Sequence, residues 1–309
     1  MTYLPASYAQ VQEISRLRFE ALCAIRGRLR TADKQALDGT AHALRPGSMD
    51  HSIPARKLLY LDLSGREPLA AITVGDLDTA THITWQLSGT GIRARNALWG
   101  SAHEAGELYL EQRRVGIEAP AVVAWLGYRS PSLGTALLNL SARRGVNVLA
   151  RDLEIMASLR PDKPHLALEA HSYAASMAAQ VLDTRAEFAH RVDALVTIGS
   201  AGIPGYLARN LDRVGVPTAH FYTAIAPADH LARWGKRLSG RKQPTAQHFE
   251  VTERGDLALL GASGHNTSQR LANDPSSPHG YRDPGTTSLR NLALLTTGQA
   301  PLESYRPRK

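Results

Sequence analysis

The chain has 309 residues, a formal net charge of +8 and 43% hydrophobic residues, a composition typical of a globular protein with one large core or two modest ones. No run approaches the roughly 18 apolar residues of a membrane span, and the N-terminus lacks a basic region followed by an apolar core, so we expect a cytoplasmic protein. The single cysteine, Cys23, excludes an internal disulfide and a thiolate zinc site.

The positive charge has no clear partner in the sequence. The arginine and lysine residues are scattered along the chain and do not form one stripe interleaved with aromatic residues, and no recognised nucleic-acid motif accompanies them. We therefore expect a solvated surface and no nucleic-acid partner.

The first 45 residues are predicted to be helical. Apolar residues recur at helical spacing, among them Val11, Ile14 and Leu17, and a second segment follows before the break at Pro46 and Gly47. We interpret residues 1–55 as an N-terminal helical extension and residues 56–309 as the main domain.

Beyond this break, strands and helices alternate. Strand composition and length occur at residues 58–63, 70–74, 83–87, 121–126, 166–169, 194–198, 218–222 and 248–251. Helices are predicted at residues 91–115, 132–159, 175–188, 206–214, 231–238 and 286–297. This alternation favours an α/β fold with a mostly parallel, doubly wound sheet covered on both faces.

Two polar segments precede or follow the third predicted strand. Asp76, Asp78 and His82 could suggest a metal site, but calcium loops need more ligands and an aspartate commonly caps a turn, so we predict no metal. Gly89 and Gly91 flank Thr90 in a tight turn that lacks the third glycine and the lysine of nucleotide motifs, which disfavours phosphate binding.

The most informative segment is A-H-S-Y-A, with Ser172 between an apolar strand and a helix of small residues. An α/β-hydrolase presents its nucleophile on such a turn, usually written G-x-S-x-G; here Ala170 and Ala174 occupy the glycine positions. A serine before a helix is more commonly an N-cap, so this segment alone leaves both interpretations open. Glu169, a carboxylate in an apolar strand, should need a partner or a raised pKa, and its role stays open.

A nucleophilic serine needs a base, an acid and two oxyanion donors. In α/β-hydrolases the chain order is serine, acid, histidine. Asp229 follows the strand at 218–222, and the long loop at 261–284 offers His265 and His279. Each also has an ordinary interpretation, as a helix N-cap or an exposed loop histidine.

The predicted oxyanion donors are the backbone N–H of Tyr173 and an N–H from the turn of Gly89, Thr90 and Gly91. The first follows the nucleophile directly. The second lies after an earlier apolar strand, where such enzymes carry their other donor.

Several segments together resemble a bacterial, mostly actinobacterial, α/β-hydrolase family catalogued as a domain of unknown function. Residues 70–80 resemble its A-V-x-x-G-D-P-D-T-A stretch, residues 123–131 its A-W-x-G-Y-x-x-P, residues 171–173 part of its G-H-S-Y-G, and residues 198–202 its G-S-P-G. The resemblance extends from about residue 68 to residue 298 and leaves out the N-terminal helices.

The resemblance implies an α/β-hydrolase fold with Ser172 as nucleophile and Asp229 as the acid. It favours His279 as the base, since a histidine before a tyrosine fits the family pattern, and keeps His265 in reserve. The chain departs from the family at the elbow alanines, at Ala201 and at residues 86–91.

These observations predict a serine hydrolase that cleaves an ester, thioester or amide of a small-molecule acyl substrate through an acyl-enzyme, without a cofactor or metal. The alternative is a protein that keeps the fold as a binding module, since both elbow glycines are replaced. The acyl group, the leaving group and the oligomeric state stay open.

Overall fold

The computed structural model describes residues 5–131, 142–184, 191–268 and 279–303. At its centre is an eight-stranded sheet with the order β1-β2-β4-β3-β5-β6-β7-β8. The strands are β1 (Lys57–Asp62), β2 (Leu69–Val74), β3 (His82–Leu87), β4 (Pro120–Leu126), β5 (His165–His171), β6 (Ala194–Ile198), β7 (Phe221–Ala224) and β8 (Gln247–His248). The predicted α/β fold with a mostly parallel, doubly wound sheet is confirmed.

Only β2 runs in the direction opposite to the other strands. β2 is antiparallel to both β1 and β4, whereas the pairs from β4 through β8 are parallel. The carboxyl ends of parallel strands meet at one edge of a sheet, and ligands of open α/β sheets bind outside that edge. The loops that follow β3, β5, β6 and β7 therefore converge there.

Eight α-helices occur in the described ranges: α1 (Tyr8–Ala24), α2 (Thr31–Leu44), α3 (Ala94–Arg114), α4 (Ala142–Leu159), α5 (Tyr173–Thr184), α6 (Gly205–Ala208), α7 (His230–Leu238) and α8 (Thr287–Leu295). None of them is long and apolar enough to cross a bilayer.

The core has two layers because side chains alternate across each strand. On β5, Leu168 and Ala170 pack in the layer that contains the buried face of α5. Glu169 and His171 alternate with them and are also buried. Those two polar residues consequently lie on the opposite face of the sheet, which determines the contacts they make at its carboxyl edge.

The N-terminal helices pack on the sheet. Asp78 accepts hydrogen bonds from the backbone N–H groups of Tyr8 at 2.7 Å and Ala9 at 2.8 Å, in the first turn of α1. Ser15 of the same helix donates to the Leu59 carbonyl at 2.5 Å. A carboxylate at a helix N-terminus is favourable, so Asp78 has a structural role in attaching α1. The division of the chain after residue 55 stays a prediction.

The structure shifts several predicted boundaries. β7 begins three residues later than the strand predicted at 218–222, because a 3-10 turn over Thr218–His220 follows Pro217. The helix predicted at 206–214 divides into α6 and a 3-10 turn over Leu211–Val214. Parts of two other predicted helices, residues 132–141 and 185–188, lie outside the described ranges.

Candidate active site

Ser172 occupies a sharp turn between β5 and α5. Its φ of +56° lies in the left-handed region, which is uncommon for a residue other than glycine and typical of functional turns. The turn is held by the Ser172 backbone N–H, which donates to the Ile198 carbonyl at 2.9 Å. Ala170 and Ala174 are completely buried on either side. The packing around the turn thus accommodates both methyl groups.

His265 links Ser172 to Asp229. Its Nε2 lies 3.0 Å from Ser172 Oγ, and its Nδ1 lies 2.9 and 3.0 Å from the two carboxylate oxygens of Asp229. A carboxylate can only accept hydrogen bonds, so Nδ1 carries a hydrogen and Nε2 offers its lone pair to the serine hydroxyl. The orientation is that of a nucleophile, a base and an orienting acid.

The carboxylate of Asp229 is completely buried and hydrogen-bonded from three sides. Besides His265, it accepts from the Tyr281 hydroxyl at 2.8 Å and from the Ala232 backbone N–H at 2.9 Å, the latter at the start of α7. The Tyr281 hydroxyl in turn accepts from the Ala226 N–H at 2.7 Å. Asp229 therefore both caps α7 and orients the imidazole.

The structure does not bring His279 to this arrangement; it places His265, which the sequence analysis ranked second, between Ser172 and Asp229. Backbone pairing joins Ala262 to His279, and the His279 carbonyl accepts from the Ser263 N–H at 3.0 Å. This pairing places Tyr281, two residues later, at Asp229. Within the described ranges the Nε2 of His279 is buried without a hydrogen-bond partner.

Of the predicted oxyanion donors, the N–H of Gly91 is committed elsewhere: it donates to Ser130 Oγ at 2.7 Å and to the Pro131 carbonyl at 3.2 Å. Gly89 lies directly against the nucleophile, because a Cβ there would be 2.9 Å from Ser172 Cβ. Thr90 lines two cavities that open beside His265, and Tyr173 is the first residue of α5.

The 88–91 turn is braced from the loop after β4. Ser130 Oγ donates to the Gly89 carbonyl at 2.8 Å, and the Tyr128 hydroxyl donates to the Ser88 carbonyl at 2.9 Å. Sequence reasoning missed these roles, although both residues lie in the A-W-x-G-Y-x-x-P segment that supported the resemblance.

His171, which precedes the nucleophile, positions the loop of His265. Its Nε2 lies 2.8 Å from the backbone carbonyl oxygen of His265, to which it donates. Burial, and next the positive potential of His265 and Arg282, hold the pKa of His171 well below its ordinary value. The ring is therefore neutral and keeps the tautomer that donates to His265.

Glu169, unexplained at the level of sequence, has Arg282 as its partner. The buried guanidinium donates to Glu169 at 2.6 Å and to Glu104 at 2.7 Å, so it joins β5 to α3. Burial raises the pKa of Glu169 to about 6, opposed by the Arg282 charge. Arg282 follows Tyr281 directly in the chain, and together with Glu104 it lines a cavity beside His265.

Two cavities open beside His265. One, of about 310 Å³, is lined mainly by residues with polar or charged side chains, including Ser101, Glu104, Asn266, Thr267 and Arg282, although carbon atoms contribute more of its surface than polar atoms. The other, of about 170 Å³, has a mostly apolar lining that includes Ser172, Tyr173, Leu231, Trp234 and Leu238. The Ser172 hydroxyl therefore borders the more apolar cavity, and His265 borders both.

Comparison with known proteins gives a family match and distant structural likenesses. Residues 64–239 match the family described as alpha/beta hydrolase. Uncharacterized proteins of Mycobacterium tuberculosis (strain ATCC 25618 / H37Rv) and of Mycobacterium bovis are each 29% identical over 190 residues, covering 58% of this chain and 69% of theirs.

Among solved structures, an arylesterase is 10% identical with a TM-score of 0.43, covering 93% of this chain and 96% of its own. A dienelactone hydrolase from Anabaena variabilis is 14% identical with a TM-score of 0.40, covering 77% of this chain and 93% of its own.

Proposed function

Because this chain belongs to the α/β-hydrolase family, we propose that it is a serine hydrolase that cleaves an ester, thioester or amide through a covalent acyl-enzyme. The observation that carries the proposal is the position of His265, with Nε2 at 3.0 Å from Ser172 Oγ and Nδ1 at 2.9 Å from Asp229. Its partner would be a small-molecule acyl substrate, and the cytoplasm stays the predicted location.

In the first half-reaction, Ser172 Oγ attacks the carbonyl carbon while its proton passes to His265 Nε2. The bond between that carbon and the leaving group then breaks, and His265 returns the proton to the leaving atom. Asp229 stabilises the imidazolium that exists between these steps. The products of this half are the free leaving group and Ser172 acylated at Oγ.

Water completes the cycle by the same route. It gives a proton to His265 Nε2, its oxygen bonds to the acyl carbon, and the Ser172 ester bond breaks as Oγ takes the proton back. The carboxylic acid leaves, and the resting tautomer of His265 is restored. Tyr281 and the N-terminus of α7 hold Asp229 in place throughout.

The proposed oxyanion donors are the backbone N–H groups of Tyr173 and Thr90. Tyr173 begins α5, so the positive end of the helix dipole adds to its donor. Gly89 permits the close approach of the turn to Ser172, and Ser130 keeps Gly91 turned away. Two such donors would stabilise the charge that develops on the carbonyl oxygen.

The alternative of a binding module rested on the loss of both elbow glycines. The alanines are buried without displacing Ser172 from its left-handed turn or from hydrogen-bond distance of His265. This geometry favours catalysis over binding alone.

The test is intact-mass spectrometry after incubation with a fluorophosphonate. We expect one adduct on the wild type, none on Ser172→Ala, and an unchanged adduct on Ser176→Ala, a matched substitution one turn further along α5. Circular dichroism checks that each variant is folded. A folded wild type without an adduct, or an adduct that persists in Ser172→Ala, would contradict the proposal.

A further inference from the structure

The two cavities differ in chemistry and meet at the proposed catalytic residues. Ser172 and Tyr173 line only the apolar one, whereas Glu104, Asn266 and Thr267 line only the polar one; His265 lines both. In an acyl transfer, the acyl group stays on the serine and the leaving group takes its proton from the histidine. The two halves of a substrate would therefore lie in different surroundings.

The apolar cavity continues along one face of α7. Leu231, Trp234 and Leu238 are spaced three and four residues apart, so they share a helix face, and they are 48%, 60% and 63% exposed. They are three of the nine exposed large hydrophobic side chains recorded for the described ranges. We call this face, with the cavity it borders, the α7 groove.

The α7 groove is fixed in position relative to the catalytic residues. Asp229 caps the helix through the Ala232 N–H, so the helix begins at the triad itself. Gly235 lets α7 lie close to the loop that follows β6, since a Cβ at Gly235 would be 2.9 Å from Ala201 Cβ. An occupant of this groove therefore continues from Ser172, as an acyl chain attached to that residue would.

The polar cavity carries hydroxyl and amide groups, and Arg282 is the only arginine or lysine among the described residues that line it. That guanidinium already donates to the carboxylates of Glu104 and Glu169, so this group of three side chains has one more carboxylate than guanidinium. Thr267 donates to the other oxygen of Glu104 at 2.5 Å. His171 stays neutral. A neutral group with several hydroxyls can exchange hydrogen bonds here, whereas a phosphate or carboxylate would face Glu104.

Building on the proposed function, we propose that the substrate is an ester of an apolar acyl chain, held in the α7 groove, with a neutral polyhydroxylated alcohol, held in the polar cavity beside Glu104 and Thr267. The apolar half would gain affinity by removing chain and helix surface from water, and the polar half by hydrogen bonds that an alkyl alcohol cannot make.

The leaving-group half is tested by kcat/KM for three octanoyl esters that share a three-carbon alcohol: glycerol, 1-propanol and glycerol 3-phosphate. We expect the glycerol ester to exceed each of the others by about tenfold or more. Glu104→Gln should reduce the discrimination against the phosphate ester. Equal rates for the glycerol and propyl esters, or a preference for the phosphate ester, would overturn the proposal.

The acyl half is tested with butanoyl and octanoyl glycerol. We expect the longer chain to raise kcat/KM about tenfold or more, and Trp234→Ala to remove most of that gain by raising KM. Ile155→Ala, at an exposed apolar residue of α4 outside both cavities, should retain the gain. An unchanged chain-length dependence in Trp234→Ala would overturn the proposal.

Sedimentation velocity and flotation with phosphatidylglycerol vesicles complete the test. If Trp234→Ala abolishes self-association or vesicle binding while leaving the chain-length dependence intact, the groove holds a second copy or a membrane and the proposal fails. Fluorophosphonate labelling distinguishes a failure of the substrate inference from a failure of the proposed function. Labelling of Ser172 without ester selectivity defeats only this inference, whereas a folded wild type without labelling defeats the proposed function as well.

Discussion

The turn at Ser172 and the loop at residues 261–284 both contribute to the candidate site, but they differ in how their structure arises. The turn is local: β5, one left-handed residue and α5 are consecutive in the chain. In the described parts of the loop, the positions of the side chains depend on pairing between segments distant in sequence, such as Ala262 with His279. Local patterns therefore located the serine, whereas choosing between two histidines required the tertiary contacts.

The largest expected effect compares the two histidines directly. His265→Ala should lower kcat for an activated ester such as p-nitrophenyl butyrate by about 10³-fold or more, because Ser172 would lose its proposed base. His279→Ala should change it by less than about threefold, since no hydrogen bond joins His279 to the triad within the described residues. Steady-state rates of both purified variants decide the matter, and the reverse order of effects would restore His279 as the base.

A smaller effect is expected at Tyr281, which hydrogen-bonds to Asp229 and not to Ser172 or His265. Tyr281→Phe removes the hydrogen bond to Asp229 and leaves the Ala226 N–H without its acceptor. We expect kcat to fall about tenfold, the factor that corresponds to about 1.4 kcal/mol for one hydrogen bond to a charged group.

Tyr222→Phe on β7 is the matched control, since Tyr222 makes no contact with Asp229 among the hydrogen bonds of the described residues. For both variants, kcat is measured across a range of pH. A purely structural role of Tyr281 would lower the melting temperature and leave kcat of the folded fraction unaltered, which would refute its positioning of Asp229.

The remaining effect concerns folding stability and not catalysis: Glu169 should make the free energy of unfolding depend on pH. Its pKa is about 6 in the folded protein and about 4.3 in an unfolded chain, so the folded state binds more protons between these values. The free energy of unfolding therefore falls as pH rises from about 4 to about 6, by on the order of 2 kcal/mol from this group.

Urea denaturation at several pH values measures this contribution. Glu169→Gln lacks the titrating group, so its free energy of unfolding should decrease less than that of the wild type over the same interval. Parallel pH profiles for the two proteins would show that Glu169 does not titrate there.

The organisation around Arg282 explains why the sequence left Glu169 without a role. Glu104, Glu169 and Arg282 belong to α3, β5 and the loop before α8, so their spacing in the chain carries no periodic signal. Replacing Arg282 would leave the buried carboxylate of Glu169 without its cationic partner, a change that costs about 3–5 kcal/mol for buried pairs. The ion pairs thus join the sheet to α3 at the wall of the polar cavity.

Short-range chemistry determined much of the remainder. Alternating apolar strands and amphipathic helices predicted the mostly parallel sheet. Ser172 and Asp229 each follow a predicted strand, and the carboxyl ends of these strands share one edge of the sheet. Proline and glycine turns shifted boundaries by a few residues, as at β7, where Pro217 begins a 3-10 turn that delays the strand.

By itself, the sequence determined the α/β fold, the turn that carries Ser172 and the position of Asp229 after a late strand, because each depends on residues adjacent in the chain. Tertiary structure alone decided that His265 and not His279 lies between them, that Tyr281 supports the acid, and that Arg282 pairs with Glu169. Hydrogen bonds between loop segments make those choices, since they set which side chain points toward the sheet edge and which points away.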